Sequence, residues 1–293
     1  MNRSRGGDGV KGFSLRSRFI FTALAGVALV YTLVPFLWMI INSTKSNADL
    51  FSTASFALGD NNFLVNMGQL FTHDGGIFSR WLLNTLFYST TAALGATALC
   101  FLAGYAFSKW SFPGRSWLFS AIVIVIMIPN TALAIPTYQM LSAFNLVNNP
   151  LALILPSLLN PFGLYLMKLY IDGALPDEVL DAARIDGASE ARILRSIVPR
   201  IVTPGLATVF LLSFVATWNN YLLPLLVFTD SQLYPVTLGL TTWNRQSIIP
   251  LSTDQAIFPL VILGSLVSVI PLIVAFTFLQ RFVKSGLAVG AVR

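Results

Sequence analysis

Charged residues are scarce in this sequence. Asp, Glu, Lys and Arg make up only 10% of the 293 residues, whereas 55% are hydrophobic, and the mean hydropathy is +0.74. Ordinary soluble domains carry about 25% charged residues. The composition therefore argues against a soluble globular domain and indicates a membrane protein.

Histidine and cysteine are also almost missing. His73 is the only histidine and Cys100 the only cysteine, so a disulfide within the chain is excluded and a metal site has almost no ligands. Cys100 lies between Leu99 and Phe101, where a small buried apolar role is expected. No lysine follows a glycine, so the P-loop that binds ATP phosphates is missing. We expect no metal, no cofactor and no catalysis in this chain.

Long stretches without charge dominate the chain. They cover residues 19–44, 81–108, 116–167, 201–229 and 255–280. About 20 apolar helical residues cross a bilayer, so the third stretch is long enough for two crossings. Lipid-embedded backbone must be paired internally, and these runs lack the alternation of barrel strands. The sequence predicts an all-α membrane protein with six transmembrane helices at about 19–41, 83–107, 117–140, 151–170, 203–228 and 256–279.

The basic residues are unevenly divided between the two sides of the predicted membrane. Fifteen of the 18 fall in the N-terminal segment, the 2–3 loop, the 4–5 loop and the C-terminus. Cytoplasmic loops retain Lys and Arg, so both termini and the 4–5 loop are predicted to be cytoplasmic. We divide the chain into a cytoplasmic segment, 1–18, and one transmembrane domain, 19–293. The net charge of +6 then reflects topology and does not indicate nucleic-acid binding.

The predicted spans keep no charged residue at membrane depth. An ion-coupled carrier needs such groups to bind its coupling ion, and an intramembrane enzyme needs an acid, a base, a nucleophile or a metal. Both interpretations are weakened. A stand-alone channel or carrier remains an alternative, and it predicts transport by this chain alone.

The 4–5 loop, about residues 171–200, is the only predicted cytoplasmic loop with structure of its own. Pro176 and the acidic residues after it suit the start of a helix, and Gly187 suits its end. Ser189 can cap a second short helix. The residues expected to share one apolar face of that helix are Ile193, Leu194, Ile197 and Val198. From composition alone, the loop could also be an amphipathic hairpin that rests at the interface.

The residues of this loop have a spacing that is similar to that of a known protein family. Asp181-Ala182-Ala183, three further residues, Gly187 and nine further residues to Ile197 resemble the Glu-Ala-Ala loop of permease subunits of binding-protein-dependent ABC importers. The Ile-Asp-Gly-Ala-Ser run at 185–189 is also similar to that loop. Two features depart from the family pattern: Asp181 replaces the usual Glu, and in Pro199-Arg200 the proline comes one residue early.

The resemblance extends over nearly the whole chain. The run 217–224 and the tail 280–292 are similar to the carbohydrate branch of these permeases, which includes the six-span maltose-type subunit. The resemblance implies a bacterial plasma (inner) membrane protein that forms half of a sugar pathway with a homologous second permease. It also implies an extracytoplasmic sugar-binding protein, membrane lipid and a cytoplasmic ABC ATPase dimer, which binds ATP and Mg. The residues implied to contact the ATPase are Asp181, Ala182, Ala183, Arg184, Gly187 and Ile197.

A sugar pathway requires amide and aromatic side chains more than charges. The candidates near the predicted spans are Asn130, Asn160, Trp218, Asn219, Asn220 and Tyr221. Interhelical hydrogen bonding explains the asparagines equally well. Another small solute carried by the same importer class, such as an amino acid or glycerol phosphate, is the alternative cargo.

Overall fold

The computed structural model describes the backbone of residues 15–248 and 257–290 and the side chains of residues 19–248 and 257–282. Every regular element in these ranges is a helix. The α-helices are α1 (Leu15–Ser43), α2 (Asn47–Ser52), α3 (Phe63–Thr72), α4 (Ile77–Lys109), α5 (Arg115–Ile126), α6 (Ala134–Ala143), α7 (Leu151–Leu158), α8 (Pro161–Ala174), α9 (Asp177–Ile185), α10 (Glu190–Arg192), α11 (Val198–Ile201), α12 (Thr203–Trp218), α13 (Leu222–Val227), α14 (Val236–Ile248) and α15 (Phe258–Gly290). Short 3₁₀ helices cover His73–Gly76 and Ser231–Leu233, and a π-helical turn covers Ile193–Ile197.

The long helix α4 lies at the centre of the bundle and packs against α7, α8, α12 and α14. Ala92, Ala93 and Ala96 on α4 are completely buried. A Cβ atom on Gly104 would lie 3.1 Å from the backbone nitrogen of Lys168, so α4 and α8 are in close contact at this glycine. Small residues allow this approach, as they do between membrane helices generally.

Four helical segments are long and apolar enough to cross a membrane: Phe19–Ser43, Phe63–Lys109, Leu151–Ala174 and Phe258–Phe282. The segments Glu190–Ile201 and Thr203–Trp218 are long and apolar enough only when they are taken together, and the chain bends by 82° between them. If this bent pair counts as one span, the described residues contain five candidate spans. The all-helical membrane class is confirmed. The count of six spans stays a prediction.

Three of the predicted spans are not continuous helices. The prediction for 117–140 is wrong in this respect because the chain leaves the helix between α5 and α6, where Pro129 removes a backbone donor and disfavours helix in the residue before it. The span 151–170 breaks at Leu159 and Asn160, immediately before Pro161. The span 203–228 breaks between α12 and α13.

Some predicted segments fall outside the described residues. They are residues 1–14 of the N-terminal segment, residue 256 at the predicted start of the sixth span, and residues 291–293 of the tail.

Candidate functional site

The segment between α8 and α12 folds as two short helices joined by a tight turn, which we call the 175–201 hairpin. Its first helix, α9, begins after Pro176 with Asp177 and Glu178 in the first turn. Acidic side chains at this position favour the helix because they face its positive end. The helix start therefore agrees with the sequence prediction.

Gly187 closes α9 in the left-handed conformation, with φ of 79°. Its N–H donates to the Arg184 carbonyl at 3.0 Å, and the N–H of Ala188 donates to the Ala183 carbonyl at 2.9 Å. This pair of bonds is typical of glycine-terminated helices. A Cβ atom at Gly187 would have no neighbour within 4 Å, so the turn is open on its outer side.

The second helix of the hairpin begins at Ser189, whose hydroxyl accepts a hydrogen bond from the Arg192 N–H. Ile193 and Val198 are completely buried, and Leu194 and Ile197 pack against the same cluster, so the predicted apolar face is confirmed. The π-helical turn Ile193–Ile197 was not predicted. It precedes Pro199, which lacks an N–H and whose ring needs room near the carbonyl four residues earlier.

The base of the hairpin is tied to α4. The ammonium group of Lys109 donates to the Leu175 carbonyl and to the Asp177 carboxylate, both at 2.6 Å. The Lys109 side chain is only 9% exposed. Leu175 and Leu180 are buried in a cluster that also contains Met167 of α8. The hairpin is therefore packed onto the ends of α4 and α8.

An ion-pair cluster braces the turn of the hairpin. The guanidinium group of Arg184 donates to Glu190 at 2.8 Å and to Asp181 at 3.1 Å. Tyr105 of α4 donates a hydrogen bond to Glu190 at 3.4 Å. The hydrogen bond to Glu190 is the main cause that raises the pKa of Arg184. Arg184 therefore remains a cation that is paired within the hairpin.

The residues implied to contact an ATPase divide into two groups. Asp181, Ala182 and Gly187 are exposed on the outer side of the hairpin, as is Arg184, and Ala183 is half-buried. Ile197 instead packs into the apolar cluster that fixes the hairpin. Sequence reasoning did not include Ile185 among the contact residues, and the structure places it beside the turn with 86% of its surface exposed.

Three of the candidate pathway residues, Asn160, Trp218 and Asn219, form contacts within the protein. Asn160 caps α8, accepting from the Gly163 N–H at 2.7 Å, and its amide donates to Ser213 of α12 at 2.9 Å. Trp218 is 2% exposed in an apolar cluster. Asn219 is exposed and its amide donates to the Val215 carbonyl. These contacts explain the three residues without a transported molecule.

The remaining candidates are separated. Asn130 is exposed in the turn between α5 and α6. The Asn220 side chain accepts from the Leu223 N–H at 3.4 Å, and Tyr221 lines a cavity of about 420 Å³. The structure therefore does not bring the six candidates together in one site. The cavity is formed by Tyr221 with Val236, Thr237, Leu240, Thr241, Asn244, Val261, Ser265 and Ser268.

A cluster of metal-binding side chains is not found in the part of the chain that the structure describes. No three His, Cys, Asp or Glu side chains there could hold a metal ion. Cys100 is buried, as predicted, and its thiol contacts the Asn160 carbonyl at 3.4 Å.

Residues 96–289, which include the whole 175–201 hairpin, match the family model of the binding-protein-dependent transport system inner membrane component. The chain belongs to this family. It is therefore a multi-pass permease subunit of the inner membrane. The permease subunits of this family are non-catalytic. The resemblance that was based on residues Asp181 to Ile197 is confirmed.

Curated relatives align with this permease over most of their length. It is 30% identical to the arabinooligosaccharides transport system permease protein AraQ of Halalkalibacterium halodurans, over 88% of this chain and 90% of that protein. It is 28% identical to the sn-glycerol-3-phosphate transport system permease protein UgpE of Salmonella typhi, over 90% of this chain and 92% of that protein. Its fold is similar to a chain in the crystal structure of a bacterial ABC transporter involved in the import of the acidic polysaccharide alginate. That match has a TM-score of 0.77 and 22% identity, and it covers 92% of this chain and 98% of that chain.

Proposed function

We propose that this permease forms half of the translocation pathway of an ATP-driven sugar importer and receives its driving force through the 175–201 hairpin. The observation that carries the proposal is the contrast between the two sides of the hairpin. Its inner side is packed and hydrogen-bonded to α4 and α8, whereas Ala182, Ile185 and Gly187 are exposed. An exposed surface on a rigidly attached element is suited to transmit movement from a partner.

The partner that supplies the movement is a cytoplasmic ABC ATPase dimer, which carries the ATP and Mg that this chain has no P-loop to bind. The methyl side chain of Ala182 and the absence of a side chain at Gly187 allow the hairpin to enter a cleft closely, and Ile185 adds an apolar contact. Displacement of the hairpin tilts α4 and α8 because Lys109 and the buried cluster connect them. The second part of the hairpin, Glu190–Ile201, joins α12 at a bend of 82°.

The proposed topology has six crossings with both termini in the cytoplasm. The fourth crossing is α7 with α8. The third crossing is formed by α5 with α6, and the fifth by α12 with α13. Both are broken helices, which are tolerated at membrane depth where they are covered by protein or line a cavity. The basic residues of the 2–3 and 4–5 loops support this orientation. A homologous second permease completes the pathway, and an extracytoplasmic binding protein docks on the outer loops.

The sugar cargo is supported by the relative named for arabinooligosaccharides and by the hydroxyl and amide groups around Tyr221. The relative named for sn-glycerol 3-phosphate makes a phosphorylated solute the alternative cargo. A stand-alone channel is disfavoured because the family works in binding-protein-dependent systems.

The coupling role is tested by placing a bulky side chain at the turn. Gly187 and Gly114 both have φ of 79° and open space around a new Cβ atom, but Gly114 precedes α5, outside the hairpin. In the assembled importer in proteoliposomes, Gly187→Trp is expected to lower ATP-driven sugar uptake at least tenfold at equal membrane content, while Gly114→Trp retains most uptake. Equal uptake in the two variants would reject the coupling role.

A further inference from the structure

We propose that the cavity formed by α14, α15 and Tyr221, the residue before α13, binds the hydroxyl groups of a neutral oligosaccharide during its passage. The inference rests on the proposed importer function and adds a cargo class and a site to it. The volume of about 420 Å³ is within the range of small-molecule sites, about 300–1,000 Å³.

Four hydroxyl groups of the cavity have their protons committed to the protein backbone. Thr237 donates to the Asn220 carbonyl at 3.0 Å, and Thr241 donates to the Thr237 carbonyl at 2.7 Å. Ser265 and Ser268 donate to backbone carbonyls of α15, each at 2.7 Å. A hydroxyl oxygen that has donated its proton retains acceptor capacity. These groups are therefore oriented to accept hydrogen bonds from a ligand.

Two further polar groups are uncommitted. The amide of Asn244 and the hydroxyl of Tyr221 form no hydrogen bond within the described residues, and both groups line the cavity. The amide can donate as well as accept, and so can the tyrosine hydroxyl. Asn244 follows Thr237 and Thr241 on α14 at helical spacing, so the three side chains share one face.

No charged side chain is among the described residues that line the cavity. A phosphate or carboxylate ligand favours Arg or Lys, because ionised hydrogen bonds are about twice as strong as neutral ones. Val236, Leu240 and Val261 supply apolar surface beside the polar groups. Hydroxyl acceptors, one free amide, one free phenol and apolar patches suit a ligand whose polar groups are neutral hydroxyls.

The test uses the importer assembled from this chain, its second permease, its ATPase and its binding protein, reconstituted in liposomes. The probes are arabinotriose, maltotriose and sn-glycerol 3-phosphate. Asn244→Leu and Thr241→Val remove cavity groups. Thr242→Val is the matched control, because Thr242 donates to the Leu238 carbonyl in the same manner but lies outside the cavity lining.

We expect a neutral oligosaccharide to be taken up at least tenfold faster than sn-glycerol 3-phosphate. We expect Asn244→Leu to lower that uptake about tenfold and Thr241→Val about threefold, with Thr242→Val unchanged. Unchanged uptake in both cavity variants, an equal loss in Thr242→Val, or faster uptake of sn-glycerol 3-phosphate would each overturn the inference. Failure of the wild-type importer to couple ATP hydrolysis to uptake would instead overturn the proposed function.

Discussion

The ammonium group of Lys109, the last residue of α4, donates a hydrogen bond to the backbone carbonyl of Leu175, 2.6 Å away. Leu175 is the first residue of the 175–201 hairpin and is 1% exposed. One side chain thus connects the central helix of the bundle to the element that we propose to contact the ATPase.

Replacement of Lys109 by Met is expected to loosen the base of the hairpin. The methionine keeps most of the apolar stem but leaves the Leu175 carbonyl without its donor, which costs about 1–3 kcal/mol when the group is buried. We expect a lower melting temperature in detergent and faster tryptic cleavage after Arg184. Asp177→Asn is the control, because Asp177 is 77% exposed and such surface pairs contribute about 0–1 kcal/mol. An equal effect of both variants would assign the role to the ion pair instead.

Asn160 is expected to act on stability and not on sugar affinity. Its side chain caps α8 and joins it to Ser213 of α12, and loss of such a cap costs about 1 kcal/mol. Asn160→Ala should lower the melting temperature while the sugar concentration for half-maximal uptake stays constant. The exposed Asn219, replaced by Ala, should change the melting temperature much less. If Asn160→Ala changed the sugar concentration for half-maximal uptake and left the melting temperature unchanged, Asn160 would instead be a residue that contacts the sugar.

Gly239 of α14 is expected to tolerate no side chain. An added Cβ atom would lie 2.2 Å from the ring of Trp81, which is 2% exposed. Overpacking of this kind costs about 1–3 kcal/mol, so Gly239→Ala should lower the melting temperature. Gly68 of α3 has nothing within 4 Å of a new Cβ, and Gly68→Ala should be neutral or stabilising. Equal melting temperatures for the two variants would contradict the close contact of α14 with α4.

The orientation predicts which surfaces an impermeant maleimide reaches in intact cells. The background is Cys100→Ala, which removes the only cysteine. Ser231→Cys, on the proposed outer side, should react, whereas Glu178→Cys on α9 should react only after the cells are opened. Both native residues are exposed, so access depends on the membrane and not on packing. Labelling of Glu178→Cys in intact cells would reverse the proposed topology.

Local signals made the hairpin readable from sequence. Pro176, Gly187 and Ser189 act within one or two turns of their own position, so their types alone predicted a start, a stop and a cap. Hydropathy identified the apolar segments but could not locate the breaks, because Asn160 and Pro161 alter a helix without changing its mean hydropathy much.

Contacts between distant segments could not be read in this way. Lys109 and Leu175 are 66 residues apart, and the cavity combines Asn244 of α14 with Ser265 of α15. Nothing in the spacing of these residues indicates that they meet. Ile185 had a local signal, an apolar side chain beside the turn of a polar helix, but its exposure becomes evident only in the folded structure.

Site-specific photo-crosslinking tests the central claim most directly. A benzophenone side chain is placed at Ile185, 86% exposed at the hairpin, or at Leu64, 82% exposed on α3. In membranes that contain the assembled importer, the Ile185 position is predicted to crosslink to the ABC ATPase and the Leu64 position is not. An assembled importer that gives no ATPase crosslink from Ile185, or gives one from Leu64, would contradict the account.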